Sequence, residues 1–134
     1  MLVAKSPLIT HHIKIEKTNL GDLYFFKNYV IAEFYEGVEI DYLSFEQCQN
    51  LIKKYFGEND FGFISNRINS YSVVITEAYL FNKAFPNAKA YATVSYNVFT
   101  QKSFEVESHF FKFNKRNFLS LTEAVSWVEN TLKK

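Results

Sequence analysis

The chain is poor in the residues that staple, cradle or catalyse. Its one cysteine, Cys48, excludes an intramolecular disulfide. It lies among apolar positions of an expected helix, where a free thiol acts as a small buried hydrophobe. Four glycines are few for nucleotide-wrapping turns, and neither a Gly-x-Ser-x-Gly elbow nor a phosphate-cradling glycine loop occurs. No apolar run reaches the ~18 residues of a membrane span. Charge of one sign is missing too. Fifteen basic residues against fourteen acidic ones leave a net charge of +1, which gives no field for nucleic acid or acidic lipid.

Metal and acid–base sets are equally absent. His11 and His12 are neighbours on an expected strand and so face opposite sides, while His109 is far away in sequence. No His/Cys/Asp/Glu cluster has metal-ligand spacing, so neither a metal nor a cofactor is expected. Glu105 and Glu107 are two apart on an expected helix and do not share a face, which argues against a paired acid and base. The expectation is a protein that is not an enzyme. Residues 1–7 lack the apolar core of a signal peptide, and a reducing cytoplasm is the expected location.

What is present is aromatic. Fifteen Phe and nine Tyr favour a real core with some aromatic surface left over, and 134 residues fit one domain. Residues 1–8 read as a flexible end and 9–134 as the single domain. Residues 9–17 alternate as a half-buried strand. Asn19-Leu20-Gly21-Asp22 signals a turn, 23–26 a second strand, and 29–36 a third that Gly37 ends. In that third strand Val30, Ala32 and Phe34 share one face, and Ile31, Glu33 and Tyr35 the other.

The period then becomes helical. Phe45, Cys48, Leu51, Ile52, Tyr55 and Phe56 form a stripe, with a capping box of Ser44 and Gln47, or Asp41 as an alternative start, and Gly57 just past the end. Residues 61–68 read as a strand, and 76–85 as a helix capped by Thr76 and stopped by Pro86. A strand with a small apolar face, Ala90, Ala92 and Val94, follows. The stripe Phe99, Ser103, Val106, Phe110 and Phe113 predicts a helix over 99–113, with a strand at 110–113 as the alternative. A short strand at 116–118 precedes a last helix. That helix opens on a capping box of Ser120 and Glu123 and buries Leu121, Ala124, Val125, Val128 and Leu132. The predicted fold is α/β: a mixed sheet of about five strands with four helices mainly on one face.

The landmarks of this order are the glycine-ended strand at 29–37, Ile64-Ser65-Asn66-Arg67, the Ser70-Tyr71-Ser72 loop, and the closing segment 118–128 with Ala124 and Trp127. As an ordered set over roughly residues 20–132 they resemble the STAS-like superfamily of bacterial anti-anti-sigma-factor domains, closest to the small SpoIIAA-like proteins. The resemblance implies a compact domain that binds partners or small ligands and catalyses nothing. In signalling members a serine of a strand–helix loop is phosphorylated by a partner kinase, which switches partner choice. Ser70 and Ser72 both fall near that position, and the loop carries neither the Asp nor the Gly of the family's motif.

Two readings of that loop follow from its chemistry. In the first, Asn66, Arg67, Asn69, Ser70, Tyr71 and Ser72 form a binding site before a helix N-terminus, where backbone N–H groups and a guanidinium favour a phosphate or carboxylate. In the second, Arg67 pairs with a carboxylate such as Glu36, and Asn69 and Ser70 satisfy the turn. The expected partner is a protein, a kinase or regulator, or a small anionic ligand. The alternative function is a small-molecule or lipid carrier with an apolar pocket beside helix 99–113. The same aromatic surface also suits a homodimer.

Overall fold

The computed structural model describes residues 1–7 and 14–133. His11, His12 and most of the expected first strand lie outside that range. The described strands and helices are β1 (Lys14–Lys17), β2 (Gly21–Phe25), β3 (Tyr29–Phe34), β4 (Glu39–Ile40), α1 (Glu46–Phe56), β5 (Phe61–Arg67), β6 (Ser72–Val73), α2 (Ala78–Ala84), β7 (Ala88–Ser95), α3 (Val98–Glu107), β8 (Lys115–Phe118) and α4 (Leu121–Leu132). The main sheet has six strands in the order β1-β2-β3-β5-β7-β8, one more than the sequence suggests because short β8 joins its edge. β1, β2 and β3 form an antiparallel meander, and β5, β7 and β8 add in parallel.

Each parallel step moves in the same direction along the sheet. Crossovers of one handedness therefore send their helices to the same face. α1 and α2 pack there on Leu23, Phe25, Val30, Ala32, Phe34 and Phe61. α4 follows the last strand and covers the opposite face, where Leu121, Ala124, Val125 and Val128 meet Ile31, Ile64, Ala90, Ala92 and Val94. The contact is close because the strand side is small. A Cβ on Gly62 of β5 would fall on Cγ1 of Val128. Gly57 ends α1 with φ of 57° and ψ of −123°, a positive-φ backbone that suits glycine but is not the left-handed helical cap expected there.

Several local expectations change. Asp41 and Ser44 bond each other rather than capping α1: the Ser44 N–H donates to Asp41 Oδ1 at 2.7 Å and the Asp41 N–H to Ser44 Oγ at 3.0 Å. Gln47 instead accepts from the Asn19 N–H at 2.9 Å, tying α1 to the first turn. Ser120 caps α4 as expected, its Oγ accepting from the Glu123 N–H at 3.4 Å. Helix 76–85 shortens to a 3-10 turn, Ile75–Glu77, followed by the seven residues of α2.

Helix 99–113 is also shorter than its stripe. α3 stops at Glu107, and the chain runs irregularly to β8. Asn82 of α2 explains the stop. Its Nδ2 donates to the Phe110 carbonyl at 3.2 Å, and its Oδ1 accepts from the Lys112 N–H at 3.0 Å. An extended backbone satisfied by α2 lets Phe111 and Phe113 turn into the core, where a helix would have spread them around its circumference. Phe99, 69% exposed, and Phe110 stay outside.

The reading of residues 1–8 as a flexible end is corrected for the described part. Val3 is fully buried in the α4-side core, within a 3-10 turn Val3–Lys5. The reason is polar as well as apolar: this segment supplies backbone partners to buried side chains of β3 and β5. Among the described residues no helix is long and apolar enough to cross a membrane.

Candidate functional site

β5 ends in Ser65, Asn66 and Arg67, all buried. Successive side chains on a strand point to opposite faces, so Asn66 and Arg67 do not belong to one site. Asn66 turns to the α4 side. Its Nδ2 donates to Glu33 Oε2 at 2.7 Å and to the Met1 carbonyl at 2.8 Å, and its Oδ1 accepts from the Tyr96 hydroxyl at 2.6 Å. The Val3 N–H donates to the same Glu33 oxygen at 2.9 Å.

Burial is the largest influence on Glu33 and pushes its carboxyl above the ordinary glutamate value, against the bonds from Val3 and Asn66, which pull it down. Tyr96 is held up to about 12, first by burial and then by Glu33. A carboxyl whose folded value is raised contributes stability below its unfolded value. That contribution is lost as pH rises through the folded value. Glu33→Gln keeps an acceptor for both donors and removes the charge. Relative to wild type, the variant is expected to gain stability as pH goes from about 4 to about 7, read from urea midpoints across that range.

Arg67 turns to the other face. Its Nη1 and Nη2 donate to Glu107 Oε2 and Oε1 at 3.0 and 2.5 Å, a two-pronged pair with both residues buried. The guanidinium lies 5.0 Å from the centre of the Tyr71 ring, and the Tyr71 and Ser65 hydroxyls share a hydrogen bond. Burial works against the Arg67 charge, but Tyr71, Tyr91 and Glu107 outweigh it and hold the guanidinium well above its usual value. Burial raises the Tyr71 and Tyr91 phenols, and Arg67 pulls both the other way. Arg67 thus bolts the end of β5 to the last turn of α3.

The partner is Glu107 and not Glu36. Glu36 sits exposed after β3 and accepts from the Ser70 N–H at 2.7 Å. A charge buried inside an apolar strand demands a partner, and pairing is one of the two readings the sequence offers. Which carboxylate answers depends on where α3 ends, and the helical stripe does not reveal that.

The remaining loop residues are braced by backbone and side chain. Asn69 Nδ2 donates to the Phe34 carbonyl at 3.0 Å, the Gly37 N–H to the Ser70 carbonyl at 2.7 Å, and the Ser72 N–H to the Val38 carbonyl at 3.0 Å. Ser72 then enters β6, which pairs with β4 and places Ser72 opposite Glu39. Ser70 and Ser72 are exposed, and Tyr71 between them points inward against Phe34. The loop does not run straight into a helix N-terminus, since β6 and a 3-10 turn intervene. Of the six residues, Ser70 and Ser72 face outward; Asn66, Arg67 and Tyr71 build the frame, and Asn69 braces the backbone.

An apolar pocket is expected beside 99–113; the cavity that is present lies beneath the loop and takes Phe111 and Phe113 from that range, but no residue of α3. This apolar cavity of about 70 Å³ lies between the sheet and α1/α2. Rings of Phe45, Phe63, Phe81, Tyr91, Phe111 and Phe113 line much of it. Cys48 is buried in the same core beside Thr18, and burial raises its thiol. Among the described residues no three His, Cys, Asp or Glu side chains come together as a metal site.

No protein-family model matches the chain, and no curated protein matches it by sequence. Among solved structures it is similar to an uncharacterized protein from the DUF3478 family with a SpoIIAA-like fold, from Shewanella loihica PV-4. The TM-score is 0.54 at 13% sequence identity, over 86% of this chain and 90% of that one. At that identity the likeness speaks for architecture, and the chain has the SpoIIAA-like, STAS-like α/β fold that its element order resembles.

Proposed function

We propose that the chain is a non-enzymatic binding module that meets a protein partner through the exposed loop 68–72. The observation that carries this reading is the pairing of outward hydroxyls with a fixed frame. Ser70 and Ser72 project from a loop whose backbone is bonded to residues 36–38 and whose Tyr71 is anchored inside. Rigid support under an exposed loop at strand C-termini suits recognition.

The charge around the loop indicates the kind of partner. Glu36 stands on the Ser70 N–H and Glu39 lies opposite Ser72, while Arg67, the cation of the sequence motif, faces inward. This surface suits donors and positive charge on the partner better than an anionic ligand. Phosphate on either serine would add negative charge beside a carboxylate, at a local cost in repulsion, and would strengthen the pull on a basic partner, so modification would act as an on-switch.

Site-specific photo-crosslinking in the host cell tests the reading. A photoreactive residue at Ser70 should give a discrete protein adduct, and one at exposed Glu123 on α4 should not. Glu36→Lys should weaken the adduct several-fold. Identical adducts from both positions, or no response to Glu36→Lys, would count against the loop as the recognition surface.

A second reading, a carrier of a small apolar ligand, is favoured by the aromatic cavity. Native mass spectrometry of gently purified protein would detect a retained molecule.

A further inference from the structure

The aromatic cavity has a polar doorway. An open depression of about 270 Å³ lies on the surface beside it, bounded by Asn82, Pro86, Lys89, Lys112 and Asn114. The two spaces share the walls Phe85, Ala88 and Phe113. Phe113 is only half-buried, so the partition includes a ring that is open to solvent on one side and stacked on Tyr91 and Phe111 on the other. Lys89 and Lys112 are exposed at the doorway, no acidic side chain lines it, and among the described residues neither lysine has a carboxylate within ion-pair distance. Asn82 belongs to the doorway and also fixes the backbone of the segment carrying Phe111 and Phe113. One element thus controls both the rim and the inner wall.

An inner chamber without charge and a rim with two unpaired cations match a ligand that is itself divided in that way. We propose that this is a binding site for a small amphipathic anion, a monocarboxylate bearing one ring or a short chain. Its apolar part enters past Phe113 toward Tyr91 and Phe111, and its carboxylate is held at the rim by Lys89 and Lys112. The inference rests on the carrier reading and names its ligand class. Size sets the limit: an apolar cavity of ~150 Å³ is known to take one benzene, so the smaller chamber here accepts a single ring only with Phe113 displaced. Long-chain lipids are excluded by the same measure.

The probes are 3-phenylpropionate and its neutral analogue 3-phenylpropanamide, titrated into the intact protein and followed by amide NMR shifts. The carboxylate is expected to move the Phe111, Lys112 and Phe113 amides and to bind about tenfold tighter than the amide, the scale of one charged hydrogen bond. Lys89→Gln/Lys112→Gln should erase that difference while leaving the spectrum folded. Raising the salt should weaken the carboxylate alone. Equal binding of both probes at these residues would overturn the anion assignment and leave the carrier reading standing. Absence of shifts with either probe up to its solubility would overturn both.

Discussion

Glu107→Ala should destabilise the domain by about 3–5 kcal/mol, because it leaves the Arg67 guanidinium buried with no counter-charge. Both groups are buried, so neither recovers full hydration when the other is removed. Arg67 has little further choice of partner. Its Nε already lacks an acceptor among the described residues, and the Tyr71 ring beside it offers a face rather than a carboxylate. The loss should appear first where the pair is anchored. Hydrogen exchange in α3 and at the end of β5 should speed up more than in α4, which packs on the other face. Urea unfolding gives the magnitude. A loss under about 1 kcal/mol would mean that the pair is solvated and weak.

Phe45→Ala should cost a similar amount, about 3–5 kcal/mol, for an apolar reason. Phe45 is the junction of the aromatic core. Its ring centre lies 5.3 Å from that of Phe81, 6.2 Å from Phe85, 6.4 Å from Phe34 and 6.5 Å from Phe63. Truncation removes contacts with β3, β5 and α2 together and enlarges a cavity that already exists. Phe99→Ala is the control. That ring is 69% exposed on α3 and should change stability by less than about 0.5 kcal/mol. Thermal midpoints of the three proteins separate these cases, with a fall on the order of 10 °C for the first and almost none for the second.

The contrast between these phenylalanines shows what the sequence makes legible. Period-2 alternation places Val30, Ala32 and Phe34 on one face of β3 and Ile31 and Glu33 on the other, and the structure agrees. The α4 stripe and its Ser120 cap are equally plain, because both signals are local. Phe99 and Phe110 sit on a helical stripe as convincing as that of α4, yet they face solvent. What overrides the stripe is a side chain about thirty positions away, Asn82, which captures the backbone at 110 and 112. A pattern of residue types cannot register such a bond. β4 and β6 are missed for a related reason: each has two residues, too short for any period to appear.

The loop illustrates the opposite error, a motif that reads as more unified than it is. Asn66 and Arg67 are adjacent in sequence and part company in space because β5 continues through both. Asn66 serves the first residues of the chain and Arg67 serves α3. Pairing of Arg67 with an acid is one of the two readings its position offers, and burial decides for it. That the acid is Glu107 follows from the end of α3, and the same register leaves Glu36 to hold the Ser70 N–H. Once Arg67 is withdrawn, the loop presents Ser70 and Ser72 between two glutamates, which turns the expected ligand charge from negative to positive.

The inward role of Arg67 underlies that whole reading, and a double-mutant cycle tests it most directly. Arg67→Met and Glu107→Met are each expected to lose about 3–5 kcal/mol by urea unfolding, because each strands one buried charge. The double variant should recover most of that loss and lie within about 1 kcal/mol of wild type, or above it, since two apolar side chains of similar size need no counter-ion. A double variant destabilised by the sum of the two single losses would show that the groups act independently, and that Arg67 is not held by Glu107.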